Sequence, residues 1–233
     1  LEAVQSLAAG QVLPDSIDVT SYDGTVRTIE ITITGTNDGP VLSGPAPQAT
    51  VSEDDSTFTF DLLSGVSDVD TTDTLSVDVS SIAPVSGDAS GIVINTDGTL
   101  SVDPNAYTHL PVGKDEFVTF GYLVEDGNGG SVEQTATITI TGADDAPLIE
   151  GDMSGSVTED LSLTAHGTLT ITDPDTGESS FQAATIEGQY GTFDIDSGGS
   201  WTYTVYNDLE AVQSLAAGQV LPDSIDVTSY DGT

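Results

Sequence analysis

Cysteine is absent from the 233 residues, so neither a disulfide nor a thiolate metal site holds this chain together. Positive charge is almost absent too. Arg27 and Lys114 stand against 39 acidic residues, for a formal net charge of −37. Nucleic acid is thereby excluded as a partner, because phosphate binding needs Lys and Arg to displace counterions, and so is an anionic membrane surface. No apolar run approaches the ~20 residues that span a bilayer, so membrane insertion is not expected, and no signal-peptide pattern opens the sequence. There is no Gly-x-Ser-x-Gly elbow, and His109 and His166 lack a nucleophile to work with, so no enzyme is expected. A chain this acidic repels itself, and a small β domain without disulfides often borrows stability from a metal. Divalent cations are the obvious means of neutralising the carboxylates.

What is present is repetition. LEAVQSLAAGQVLPDSIDVTSYDGT occupies residues 1–25 and returns unchanged at residues 209–233, an offset of 208. The sequence therefore reads as one period of a longer repetitive protein plus a short overlap, with neighbouring identical repeats as its partners. A weaker repeat lies inside the long one. ITITGTNDGPVL around Gly35 corresponds to ITITGADDAPLI around Gly142, VSEDD at Val51 to VTEDL at Val157, and SDVDTTD at Asp68 to TDPDTGE at Asp173.

Strand signals dominate between these marks. In SVEQTATITITG, Ala136, Ile138 and Ile140 alternate with threonines, and in VRTIEITITG, Ile29, Ile31 and Ile33 do the same. FVTFGYLV, TFTFDLL, TLSVDV, GIVI and SWTYTV add short strands between Asp-Gly, Gly-Gly and Asn-Asp turns, which predicts an all-β fold of tandem antiparallel β-sandwiches. The only helices expected are single turns such as LEAVQSL, with Leu1, Val4 and Leu7 on one side. Boundaries at Gly39-Pro40 and Ala146-Pro147 divide the chain into three. Residues 1–37 read as the C-terminal part of one sandwich, 38–145 as a complete domain, and 146–233 as most of a sandwich that lacks its last strand. That missing strand matches residues 26–36, which predicts strand addition from a neighbouring molecule.

The stretch GQYGTFDIDSGGSWTYTVYNDLEAVQSLAAGQVLPDSIDVTSYDGT resembles the VCBS repeat of very large bacterial surface proteins, through Gly191-Thr192-Phe193, Trp201-Thr202-Tyr203, the turn from Ala211 to Gly218 and the closing ITITGTND. Residues 41–145 resemble the bacterial cadherin-like domain that alternates with such repeats, through Val51-Ser52-Glu53-Asp54, Asp126-Gly127-Asn128-Gly129-Gly130 and ITITGADDAP. The resemblance implies tandem Ig-like or cadherin-like antiparallel β-sandwich domains in the shaft of an extracellular, cell-surface adhesin of the RTX type, active in biofilms, exported by type I secretion and stiffened by Ca²⁺.

The carboxylates cluster where such a shaft would bind ions. In a seven-stranded sandwich the B–C and F–G turns lie at the pole where the chain arrives, and the turn after strand A at the pole where it leaves. Asp68 and Asp70 in the B–C turn, with Asp126 in the F–G turn, should therefore sit beside the incoming linker Asn37-Asp38. Glu53 and Asp54 should sit beside the outgoing linker Asp144-Asp145, to which the next domain brings Asp173 and Asp175. Glu159 and Asp160 stand in the second domain where Glu53 and Asp54 stand in the first. Ca²⁺ takes six to eight hard oxygen ligands in loose geometry, whereas Zn²⁺ prefers His or Cys. Two rivals to a calcium-stiffened extender are a carbohydrate-binding module stacking sugars on Trp201, Tyr203, Tyr107 and Tyr122, and a homophilic cohesion module. The alternation of Trp201 and Tyr203 with threonines suits core positions better than a sugar platform.

Overall fold

The strict apolar–polar alternation of SVEQTATITIT becomes strand Ser131–Thr141, in which Gln134, Ala136, Ile138 and Ile140 are buried and the residues between them are more open. It pairs antiparallel with Asp115–Glu125, placing Val118 opposite Ile138 and Phe120 opposite Ala136. Val118, Phe120, Tyr122 and Val124 are all buried, so this ribbon lays one continuous apolar face on a core. A computed structural model describes residues 2–232. Contacts divide the chain into two compact units, Leu1–Tyr107 with Asp115–Thr141, and Thr108–Lys114 with Gly142–Thr233.

The first unit is a β-sandwich. One sheet runs Gln48–Ser52, Ser131–Thr141, Asp115–Glu125 and Ser76–Val77, with Ala83–Ser86 also pairing Asp115–Glu125. Gln48–Ser52 lies parallel to Ser131–Thr141, and the other ladders of this sheet are antiparallel. A second sheet joins Phe58–Phe60, Leu100–Val102 and Ile92–Ile94, contributing Phe60, Leu100 and Val102 to the core. The Tyr122 hydroxyl donates to the Leu62 carbonyl at 2.7 Å, tying the long ribbon to the residue pair after strand Phe58–Phe60. Burial there holds the phenol well above its ordinary pKa.

The same unit carries a two-stranded ribbon. A helical turn, Glu2–Gln5, leads to strand Val12–Thr20, which pairs antiparallel with Val26–Thr34. Leu1 lies outside the described residues, and Val4 is 39% exposed. Ile17 and Val19 on one strand and Ile29 and Ile31 on the other are likewise open to solvent, so this ribbon has its ladder but no core.

The second unit is built on one antiparallel sheet in the order Leu148–Gly151, Thr164–Thr172, Ser200–Val205, Gly191–Ile195 and Ala184–Glu187. Ala165, Leu169, Phe181, Phe193, Ile195 and Trp201 form its buried cluster. Phe193 and Trp201 stack with centroids 5.6 Å apart, and the indole N–H donates to the Asp152 carbonyl at 3.0 Å. Gly167 makes room for the indole, because a Cβ there would lie 2.4 Å from Trp201 Cζ2. Residues 219–228 run beside this face outside any strand, with Ile225 and Val227 packed on the cluster. Their C-terminal end is held by Gln182 N–H on the Thr228 carbonyl and by a bridge between Phe181 and Ser229. A cavity of about 820 Å³ opens among Ile149, Leu169, Phe193, Trp201, Leu215 and Ile225.

Candidate metal centres

At the N-terminal pole of the sandwich, a chain of hydrogen bonds converges on linker residues. Asn37 Nδ2 donates to Asp126 Oδ2 at 2.8 Å, and Asp38 N–H donates to Asp70 Oδ2 at 2.8 Å. Asp70 N–H in turn donates to Asp68 Oδ1 at 2.9 Å, closing an Asx turn over the acidic loop. Asp126 folds its own loop, accepting from Asn128 N–H at 2.7 Å and from Gly130 N–H at 2.9 Å. Gly130 is required there, since a Cβ would lie 2.2 Å from Asp126 Oδ2. The Asn37 amide, reinforced by the loop N–H groups, holds the Asp126 carboxyl below the ordinary Asp range. Linker, B–C turn and F–G turn are thus brought together.

The polar atoms left over define the chemistry. Asp68, Asp70 and Asp73 hold carboxylate oxygens within 4.8 Å of one another. Asp70 is 2% exposed, and Asp68 Oδ2, Asp70 Oδ1, Asp73 Oδ2 and Asn37 Oδ1 are all buried without a hydrogen-bond partner. A buried, unpartnered carboxylate oxygen is costly, and three in one place repel each other besides. A hard divalent cation resolves both problems at once, and an all-oxygen set of this kind suits Ca²⁺.

The second unit repeats the arrangement at its start. Asp145 N–H donates to Asp175 Oδ2 at 3.0 Å, and Asp175 N–H donates to Asp173 Oδ1 at 2.9 Å, reproducing the Asp38–Asp70–Asp68 relay. Asp173 and Asp175 are buried, and Asp173 Oδ2 and Asp175 Oδ1 have no hydrogen-bond partner. Two groups of oxygens converge, one from Asp144, Asp175 and Glu178, the other from Asp173, Glu178 and Asp231. Burial, then the charges of Asp231, Asp175 and Asp173, push the Asp144 carboxyl above its ordinary value. Burial and the same aspartates do this to Glu178.

Four residues of the expected set, Glu53, Asp54, Glu159 and Asp160, lie in the loops that follow strands Gln48–Ser52 and Leu148–Gly151. Glu53 is fully buried, and its N–H donates to the Thr141 carbonyl at 3.1 Å, which sets it at the pole where the chain leaves the first sandwich. Its neighbour Asp54 is exposed and joins no metal-sized group among the described residues. Glu159 is half-buried, whereas Asp160 is exposed, has φ of 58° and accepts from Asn207 Nδ2 at 2.8 Å, a loop-closing contact. Asp73, Glu178 and Asp231 are members of the acidic groups that sequence reasoning did not single out. Of the four aromatic residues considered for sugar stacking, Tyr107, Tyr122 and Trp201 are buried, and the Tyr203 hydroxyl donates to Asp223 at 2.8 Å. His166 is exposed and shares a hydrogen bond with Thr202 Oγ1 at 2.9 Å, and the His109 carbonyl accepts from Thr176 N–H. Among the described residues, no helix is long and apolar enough to cross a membrane.

Residues 36–141 match the family of cadherin-like domains, and residues 144–233 match the family of bacterial cadherin-like domains. No curated protein matches the chain. Among solved structures, human CDH23 EC21-23 is 11% identical with a TM-score of 0.46, covering 86% of this chain and 66% of that one. Mouse protocadherin-24 EC1-3 is 17% identical with a TM-score of 0.39, over 84% of this chain and 66% of that one. Drosophila N-cadherin EC1-4 is 13% identical with a TM-score of 0.41, over 88% and 51%. This chain thus spans two thirds or less of the length of those structures. The two matched segments account for most of the sequence, and the chain is built of cadherin-like domains, the second of the bacterial type.

Proposed function

We propose that this chain is an extender segment of a giant bacterial cell-surface adhesin, stiffened by Ca²⁺ at its linkers and projecting adhesive domains away from the cell. The observation that carries the reading is the set of buried, unpartnered oxygens on Asn37, Asp68, Asp70 and Asp73, gathered around a linker that is itself hydrogen-bonded to Asp70 and Asp126. Cadherin-like domains are adhesion and extender modules, and the exact return of residues 1–25 at 209–233 is in keeping with tandem repetition, which adds length without diversifying any site.

The mechanism is mechanical. Without a cation, converging carboxylates push the turns and the linker apart. Bound Ca²⁺ neutralises that charge. The chain's own part is to hold each linker in place: Asp38 N–H on Asp70 and Asn37 on Asp126 at the start of the first sandwich, and Asp145 N–H on Asp175 at the start of the second unit. Each linker is then fixed to the domain that it enters, and the chain bends less freely there. Extracellular calcium modules bind at roughly 10⁻⁴ to 10⁻³ M, so the shaft is soft in cytosol and stiff outside, which suits type I secretion of an RTX-type protein.

Thermal unfolding in millimolar CaCl₂ and in EDTA tests this. At free calcium about ten times Kd, each site adds about 1.4 kcal/mol, so several sites together raise the midpoint measurably. Small-angle scattering should show a narrower spread of lengths in calcium. Equal melting and equal scattering in both buffers would sink the reading.

A further inference from the structure

Asn128 is the one asparagine of five that is followed by glycine. The other four precede Asp38, Thr96, Ala106 and Asp208, each with a Cβ beside its backbone nitrogen. Their carboxamides are also tied down. Asn37 Nδ2 donates to Asp126 Oδ2 at 2.8 Å, and Asn95 Nδ2 to Thr99 Oγ1 at 2.9 Å. Asn105 Nδ2 donates to the Asp55 carbonyl at 3.1 Å, and Asn207 Nδ2 to Asp160 Oδ1 at 2.8 Å. The Asn128 side chain is exposed and makes no hydrogen bond among the described residues; only its backbone N–H is held, by Asp126. Gly127 and Gly129 on either side are exposed, Gly129 has φ of 108°, and a Cβ placed there would meet nothing within 4 Å.

We infer that Asn128 modifies itself, converting to aspartate and isoaspartate through attack of the Gly129 backbone nitrogen on its side-chain carbonyl carbon, and that this loosens the clamp of Asp126 on the linker. Hydroxide takes the Gly129 N–H proton, and the nitrogen bonds to Asn128 Cγ. The Cγ–Nδ2 bond breaks, and Nδ2 leaves as ammonia with a proton from water. Water then opens the cyclic imide at either carbonyl. Glycine favours the ring closure because it has no Cβ to crowd the attack and reaches backbone conformations closed to other residues. The Asp126 carboxylate also draws on the Gly129 N–H, so the rate follows how often this turn opens, and an exposed loop opens at little cost.

The consequence reaches the linker through Asp126. Its Oδ1 accepts from both Asn128 N–H and Gly130 N–H. Isoaspartate inserts the Cβ carbon into the main chain between these two donors, so a single oxygen no longer fits both. Either product also sets a new carboxylate in the loop that folds around Asp126, and like charges repel. Asp126 is the acceptor for Asn37, so its displacement frees that linker side chain.

Peptide mapping by mass spectrometry is the test, after long incubation of the whole chain in warm, mildly alkaline buffer, beside the same chain unfolded in urea. In the folded chain Asn128 should convert at least about tenfold faster than any other asparagine, since its neighbour alone lacks a Cβ. Folding should widen the ratio, because it ties down the other four carboxamides and leaves this one loose. Hydrogen exchange of the Asp38 N–H, now held by Asp70, should quicken in the aged protein. It should not quicken in equally aged Asn128→Gln, whose longer side chain closes the ring far more slowly. An Asn128 that stays intact, or that folding protects as fully as Asn95, overturns the site. Conversion with unchanged exchange at Asp38 overturns its effect on the linker.

Discussion

Residues 1–25 and 209–233 are one sequence in two surroundings, and what they share separates local from long-range causes. Both copies turn EAVQ into a helical turn, Glu2–Gln5 and Glu210–Gln213. In both, a glutamine side chain caps the next bend, Gln11 Oε1 accepting from Ala8 N–H and Gln219 Oε1 from Ala216 N–H. Gly10 and Gly218 take positive φ at the same step, 79° and 83°, where a side chain would be strained. These features close within a few residues and follow the sequence wherever it sits. Burial does not. Val212 is 4% exposed where Val4 is 39% exposed, and Ala8 is buried where Ala216 is open. The first copy forms a ladder without a core, the second a core without a ladder.

The same residues thus form a strand only where Val26–Thr34 lies alongside and are covered only where the Trp201 cluster faces them, so surroundings outweigh the segment's own β-propensity. The strongest way to break that view is to charge the same position in each copy. Ile225→Asp puts an unpaired carboxylate against the Trp201 cluster and should cost the second unit about 3 kcal/mol, read from Trp201 fluorescence during denaturation. Ile17→Asp, on an exposed face, should move neither calorimetric transition by more than about 0.5 kcal/mol. Equal losses at the two sites would show that the segment's intrinsic preference matters more than its surroundings.

A smaller effect is expected at the turn. Asp231 shares oxygens with Asp173 and Glu178, whereas its double Asp23 lies in an exposed turn with Ser21 and Thr25 as its partners. Asp231→Asn should weaken calcium binding by the second unit about tenfold, some 1.4 kcal/mol, in a calorimetric titration. Asp23→Asn should leave the titration unchanged. A loss of calcium affinity from Asp23→Asn would remove the distinction between the two turns.

The fold was legible where alternation was strict and its apolar members large, as in Asp115–Glu125 and Ser131–Thr141. The gathering of Asn37, Asp38, Asp68, Asp70 and Asp126 was legible from topology, because strand direction decides which turns share a pole. Adjacent acidic pairs were harder to read. In Glu53-Asp54 one side chain is buried and the other open, because the chain turns directly after strand Gln48–Ser52. The missed members had a signal in the internal repeat. SDVDTTD and TDPDTGE both end on an acid, Asp73 and Glu178, three residues after the second aspartate. Asp231-Gly232 stands in the second domain where Asp126-Gly127 stands in the first, at the same shift of 105 that relates Asp68 to Asp173. The open environment of 12–20 had no such signal, because the identical letters at 220–228 are covered.

The finest comparison is between Asp223 and Asp15. Burial pushes the Asp223 carboxyl up, but the Tyr190 N–H, the Tyr203 hydroxyl and the Gln189 and Ser224 N–H groups outweigh this and hold it below the ordinary Asp range. Its contribution to stability is therefore complete above the ordinary Asp value and is lost as pH falls through the lower, folded value. Asp15 accepts from its neighbour Ser16 N–H at 2.8 Å, in an exposed strand. Asp223→Asn should cost the second unit about 1 kcal/mol at neutral pH, because the amide replaces the charge-assisted bonds only in part. It should also flatten the acid limb of the Trp201-detected stability profile, and Asp15→Asn should change neither. If Asp223→Asn left the acid limb as steep as before, these hydrogen bonds would not be what holds the second copy on its sheet, and the contact of Ile225 and Val227 with the core would have to hold it alone.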